Sequence, residues 1–268
     1  METISEKTAL LKFYLEAGVD ETIGDAPVNR FATRPPMTPE ASPTARPRPV
    51  AAGKTAVAIQ SVAPSVSLSE GIQKAKKLAG DSTTIAELQT ALENFDGCSL
   101  KKGATNTVFA SGKPGSRLMV IDRQPAVDED RNGMPFAGEA GELLSKMLAA
   151  IGLDQADVYL ASALPWRPPG GRMPTDEEIS LCLPFTERHI ALANPEFLLL
   201  CGEAGGYLMK KKAGINKLRG KWAQLQFEDT QLKALAIFHP GFLLEHPTAK
   251  KYAWADLLTL KAALETSA

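Results

Sequence analysis

The sequence predicts an α/β protein, a three-layer sandwich with a central, mostly parallel four-stranded sheet, and three observations predict it. Short apolar runs of strand length recur at residues 117 to 122, 158 to 162, 196 to 201 and 232 to 238. Longer stretches with helical period lie between and after them, at 139 to 151, 175 to 193, 202 to 212 and 249 to 265. Such alternation buries a parallel sheet between two layers of helices. Finally, the carboxyl ends of three runs pass into polar turns at 122 to 126, 162 to 167 and 238 to 242, where ligands bind in sheets of this kind.

The elements follow in order along the chain. Residues 8 to 18, TALLKFYLEAG, combine good helix formers with a terminal glycine, so a short amphipathic helix is expected within an N-terminal segment, residues 1 to 24. Residues 25 to 66 turn to Pro, Ala, Thr and Arg and bury too little apolar surface to offset the entropy of ordering. They read as a flexible linker. The main domain is expected over 67 to 268. Its first helices fall at 69 to 79 and 84 to 94, the second announced by Thr84 with Glu87 three residues on, as a capping box requires. Pro184 predicts a kink in the helix at 175 to 193. No internal repeat is visible.

Composition narrows the function classes. The chain has 268 residues, 44% hydrophobic and 23% charged, with a formal net charge of -1, which describes an ordinary globular protein and excludes a histone-like wrapper of DNA. A local basic face remains open, and the candidate stretch is Lys210-Lys211-Lys212 followed by Lys217, Arg219 and Lys221. Three cysteines, Cys98, Cys182 and Cys201, are too few and odd in number for a secreted disulfide framework, so a reducing cytoplasm is expected. No stretch reaches the ~18 apolar residues of a membrane span.

Residues 128 to 141, DEDRNGMPFAGEAG, running into ELLSKML, join an acidic turn, an aromatic in a Gly/Pro frame and a helix start. That order suits the lip of a pocket that holds a flat ring. With ALPWRPP at 163 to 169 and FHP at 238 to 240, the chain resembles the bacterial family 4 uracil-DNA glycosylases over about residues 95 to 265. Their pattern is roughly GEAPG-x-DED-x-x-G-RPFVG-x-AG-x-LL. The resemblance implies hydrolysis of the N-glycosidic bond of a flipped uracil or another deaminated base in DNA. Such chemistry takes the base out of the stack, holds its face and edge, and stabilises the leaving anion while water attacks the sugar. Phe136 matches the family's stacking phenylalanine, Pro125 its motif proline beside the base, and His239 its leaving-group histidine. Histidine suits that role in either charge state, because a neutral ring still donates from one nitrogen. His189 and His246 have no such match and read as surface or packing residues.

Other matched positions depart from the family. Where its relatives carry a glutamate that positions or activates the water, this chain has Arg123, and arginine cannot act as a base. Gln124 can orient a water through its carbonyl without removing a proton, and Asp122 serves as the base if the turn presents it. The family's base-reading asparagine is replaced by Ser162, which makes one short polar contact. Four cysteines hold an iron-sulfur cluster in the relatives, whereas the matching positions here are Phe95, Cys98, Trp166 and Cys182. Two ligands do not hold that cluster, so no metal and no cofactor are expected.

The stretch from Lys210 to Trp222 resembles the family's I-x-KLRG-x-W segment, and Lys217 and Arg219 are candidates for DNA phosphates. Arg167 and Arg172, which flank the Pro168-Pro169-Gly170-Gly171 loop, are further candidates. The expected partner is therefore DNA. Two alternatives stand beside glycosylase activity: a catalytically impaired nucleic-acid- or protein-binding module on the same fold, and a scaffold whose N-terminal segment docks a protein partner.

Overall fold

The computed structural model describes residues 67 to 228 and 230 to 266. The N-terminal helix expected at 8 to 18 and the linker expected at 25 to 66 lie outside these residues.

Two helices open the described chain, α1 (Leu68–Asp81) and α2 (Ile85–Glu93), and each begins with a complete capping box, Ser67 with Glu70 and Thr84 with Glu87. In each, the N-cap hydroxyl accepts the N3 amide and the N3 carboxylate returns a bond to the cap, so two orphan donors are satisfied at once. Then come β1 (Ala110–Gly112), β2 (Leu118–Asp122), α3 (Val127–Asn132), α4 (Glu139–Ala150) and β3 (Tyr159–Ser162). The second half contains α5 (Asp176–Ala193), β4 (Phe197–Cys201), α6 (Ala204–Leu208), α7 (Ile215–Leu218), β5 (Trp222–Phe227), β6 (Thr230–Ile237), α8 (Pro240–Glu245) and α9 (Lys250–Thr266). The helix α5 runs through Pro184 as one element. Of the stretch expected to be helical from 202 to 212, only α6 is; its glycines weaken it, and Lys210 closes it with a left-handed φ of +53°.

The sheet has six strands in the order β1-β3-β2-β4-β6-β5, which corrects the expected four. Its parallel core, β3-β2-β4-β6, is made of the four predicted runs, and an antiparallel strand is added at each edge. Both additions lack the apolar signature of a core strand: β1 reads Ala-Ser-Gly, and β5 is half exposed along much of its length.

Alternate strand residues serve opposite faces, so each central strand feeds two cores. Met119, Ile121, Leu198, Leu200 and Ala236 pack with Leu88, Phe185 and Ile190, beneath α2 and α5. On the other face Val120, Leu199, Leu235 and Ile237 pack with Leu144, Leu148, Leu257 and Leu260, beneath α4 and α9. Burying one such side chain contributes roughly 2 kcal/mol relative to exposure, and this burial holds the sandwich together. His189 belongs to the first core. It stacks on Phe109 with ring centroids 4.2 Å apart, and its Nε2 lies 2.8 Å from the Tyr159 hydroxyl.

The chain leaves β2 toward β3 and returns to place β4 on the other side of β2. Between β2 and β4 the direction of winding reverses, and a crevice opens beyond their carboxyl ends.

Candidate active site

Three chain segments meet at that crevice. Asp122 is the last residue of β2, Gly202 follows β4, and His239 comes two residues after β6. They line a cavity of about 540 Å³ with Gln124, Glu129 and Phe238.

His239 is fixed by its place at the start of α8. It caps the helix, with Nδ1 accepting the Gly241 N–H at 3.0 Å, which assigns the ring proton to Nε2. Nε2 stands 2.8 Å from Asp122 Oδ1. The ring N–H is off the line to that oxygen, so the contact is a close approach rather than an aligned hydrogen bond. Oδ1 also accepts the Arg123 N–H at 2.7 Å, and Asp122 is almost fully buried. Gly202 allows this geometry: its φ is +61°, and a Cβ there would lie 3.1 Å from His239 Cβ.

Gln124 occupies the turn after β2. Its Nε2 donates to the Arg172 carbonyl at 3.1 Å, which fixes the amide orientation and leaves Oε1 buried with no protein partner among the described residues. Pro125 is buried in the same turn between two cavity-lining neighbours. Glu129 was missed by the sequence reading. It is 2% exposed, and its Oε2 accepts the Ala126 N–H at 2.9 Å. Burial first, and then the Asp122 charge, raise its carboxyl above the ordinary range. The signal for it was local, since Glu129 stands three residues after Ala126 at a helix start, the spacing of a capping glutamate.

Phe136 lies behind the lining rather than on it. It is 4% exposed, its ring is inclined 18° to that of His239 with centroids 6.4 Å apart, and Ala137 and Ala140 stand at the cavity wall. Its backbone is left-handed, φ +56°, which is uncommon for a bulky residue and marks a position held by its surroundings. One of these surroundings is Gly141, where a Cβ would come within 1.6 Å of the Phe136 carbonyl oxygen.

Ser162 pairs in register with Asp122 but serves another space. Its hydroxyl donates to the Leu164 carbonyl at 2.6 Å, and it borders a separate small cavity with Phe185 and His189. Arg123 is turned to Glu203, Nη1 to Oε2 at 3.0 Å.

The four candidate DNA contacts are also differently engaged. Lys217 is exposed on α7. Arg167 is partly buried, with its Nε lacking a partner among the described residues. Arg172 grips Glu178 through two bonds of 2.7 and 2.8 Å, and this pairing, before all else, holds the Glu178 carboxyl down to about 2. Arg219 is a structural strut. It binds both Asp256 oxygens, at 2.9 and 2.7 Å, donates to the Tyr252 carbonyl, and lies over the Phe238 and Tyr252 rings.

The residues for which the family resemblance implies cluster ligands do not fit a four-thiolate cluster. Phe95 and Trp166 are fully buried core side chains, while Cys98 and Cys182 face each other with sulfurs 4.0 Å apart. Trp166 is further fixed by its indole N–H, which donates to the Thr107 hydroxyl at 3.0 Å.

Comparison with known proteins agrees with this architecture. The family model described as "Uracil DNA glycosylase superfamily" matches residues 109 to 258. A type-4 uracil-DNA glycosylase of Archaeoglobus fulgidus is 33% identical over 164 residues, covering 59% of this chain and 82% of the relative. The Saccharolobus solfataricus protein of that name is 31% identical over 175 residues, 63% of this chain and 81% of the relative. For the Thermotoga maritima protein the figures are 32% over 154 residues, 56% and 77%. With the sheet order, the crevice between β2 and β4 and the His239 cap already in place, the match over more than half the chain shows that it belongs to the uracil-DNA glycosylase superfamily.

Proposed function

We propose that the chain is a DNA base-excision glycosylase, hydrolysing the N-glycosidic bond of a flipped uracil or another deaminated base. The observation that carries this reading is the meeting of Asp122 and His239 at 2.8 Å in one cavity, with the unpartnered Gln124 carbonyl in its lining. As the bond breaks, negative charge grows on the base and positive charge on the sugar. The Asp122 carboxylate stabilises the sugar cation and accepts a proton from the attacking water, which Gln124 Oε1 orients. The oxygen joins the sugar carbon, and the proton passes on to the departing base. His239 Nε2–H, off the line to Asp122, donates to the base carbonyl oxygen as charge develops there.

Phe136 and Pro125 back the apolar wall behind the lining, whereas Ser162, bound to the Leu164 carbonyl beside a separate cavity, takes no part in holding the base. Arg167, Arg172 and Lys217 meet the phosphate backbone, while Arg219, at the end of α7, holds the helix that carries Lys217. The relatives' names, type-4 uracil-DNA glycosylase, support the substrate class. Among the described residues no helix is long and apolar enough to cross a membrane.

A second reading, a catalytically impaired nucleic-acid-binding module, is favoured by the Arg123–Glu203 ion pair, which fills the relatives' glutamate position with a cation already engaged. Release of free base from single-stranded and mismatched DNA containing uracil, hypoxanthine or xanthine separates the two. Release that disappears in Asp122→Asn supports the glycosylase. Intact DNA binding with no release from any substrate supports the module.

A further inference from the structure

A second cavity, about 500 Å³, lies between α5 and the segment running from α6 to α7. Its floor is apolar, built from Ile179, Leu183 and Leu218, and its rim carries Lys210, Lys211 and Lys212. A space of this size with an apolar floor and a charged rim suits a small flat ligand that carries charge at one end. Lys210 pairs with Glu187 at 2.9 Å, Lys212 only loosely with Asp176 at 3.7 Å, and Lys211 has no ion pair among the described residues. Tyr207 also lines the space, and its hydroxyl is buried with no partner among the described residues. Burial, and then the Glu203 charge, push that hydroxyl up to about 12, so it remains a donor at neutral pH.

The two cavities adjoin, sharing Gly202, Glu203 and Ile215. Their charges differ, for the lysine cavity sets Lys210, Lys211 and Lys212 against two carboxylates, Asp176 and Glu203. The active-site cavity is lined by Asp122, Asp128, Glu129, Glu139, Glu203 and Glu245 against Arg123 and His239. Phosphates are repelled from that lining and attracted to the lysine rim beside it.

We propose that the cavity between α5 and α6–α7 is a binding site for a nucleoside phosphate unit, with the base on the apolar floor and the phosphate among the rim lysines Lys210, Lys211 and Lys212. This rests on the glycosylase reading for its role: the unit is the strand nucleotide beside the flipped one, held so that the base enters the acidic cavity while its phosphates stay outside. A free nucleotide offers the same chemistry, and the experiment separates the two sources.

Binding of a fluorescein-labelled oligothymidylate without uracil, and of free dTMP by competition, is measured for the wild type, for Lys210→Ala/Lys211→Ala/Lys212→Ala and for Ser180→Glu, which sets a carboxylate on the cavity wall. Thermal melting of each variant confirms folding. Strand affinity is expected to fall about tenfold or more in both variants, and the salt slope of the lysine variant to drop by roughly 0.7 for each phosphate it no longer neutralises. Loss of dTMP competition with unchanged strand affinity keeps the site and assigns it to a free nucleotide. Unchanged binding of both ligands in both folded variants, or no binding by the wild type, overturns the proposal. Uracil release by the same samples keeps the two questions apart. Release with lysine-independent binding removes this site and leaves the glycosylase, whereas lysine-dependent binding without release does the reverse.

Discussion

His239 Nε2 and Asp122 Oδ1 stand 2.8 Å apart although their strands are not neighbours, since β4 runs between β2 and β6. The approach crosses the end of β4, where Gly202 has no side chain to obstruct His239. Residues far apart in sequence thus become one reactive pair because three parallel strands end at the same level.

Asp122→Asn should reduce release of uracil from a single-stranded oligonucleotide by about 10²- to 10⁴-fold in single-turnover assays while leaving DNA affinity nearly unchanged. His239→Ala should fall in a similar range. The double variant should be only slightly worse than the poorer single one, because residues that act as a unit are not additive.

Arg123→Glu sets a carboxylate where the family resemblance implies one, but turns it toward Glu203, the present ion-pair partner of Arg123. Like charges at that separation oppose each other. Uracil release should therefore rise more in Arg123→Glu/Glu203→Gln than in Arg123→Glu alone. Equal rates in the two variants would show that Glu203 does not restrain the new side chain.

Arg219→Ala should destabilise the protein by about 3–5 kcal/mol in urea unfolding, because it leaves the buried Asp256 charge uncompensated. Burial already raises the Asp256 carboxyl, against the pull of Arg219. Replacing both, as Arg219→Met/Asp256→Leu, should recover most of the loss. Weakened DNA binding by Arg219→Ala at unchanged stability would instead make it a direct phosphate contact.

Acid sensitivity should appear in two windows. His189 is pushed down to about 3 by burial, so the unfolded chain binds its proton first and stability falls as pH drops below about 6.5. Glu178 is held at about 2, chiefly by Arg172, so its contribution is present above the unfolded carboxylate range near 4.5 and is lost as pH falls toward 2. Glu178→Gln should flatten the lower window of the stability profile and leave the upper one in place. Loss of stability that persists below about pH 3 in this variant, beyond the reach of His189, would assign the lower window to other carboxylates.

The purified protein should lack stoichiometric iron and a broad visible absorbance band, since Phe95 and Trp166 fill two of the ligand positions. Cys98→Ser should leave any base release intact. About four irons per chain would overturn this.

The helices α1, α2, α4 and α9 and the four parallel strands were legible because their signals are local: a capping box at Thr84 and Glu87, apolar runs of strand length, helical period after each. The edge strands were not, because β1 and β5 gain their order by pairing with β3 and β6 rather than from apolar runs of their own. His239 and Asp122 could be picked out as candidates, but their contact could not, nor could the retreat of Phe136 behind the cavity lining.

By itself the sequence determined the α/β class, the parallel core and the helix starts, since periodicity and capping act within a few residues. Only the tertiary structure decided what the polar side chains are committed to. Arg219 belongs to Asp256, Arg172 to Glu178, Arg123 to Glu203 and the Ser162 hydroxyl to Leu164, while Glu129 joins the cavity. Charge and hydrogen-bond partners act across space, and where they come from distant segments only the packed sandwich selects them.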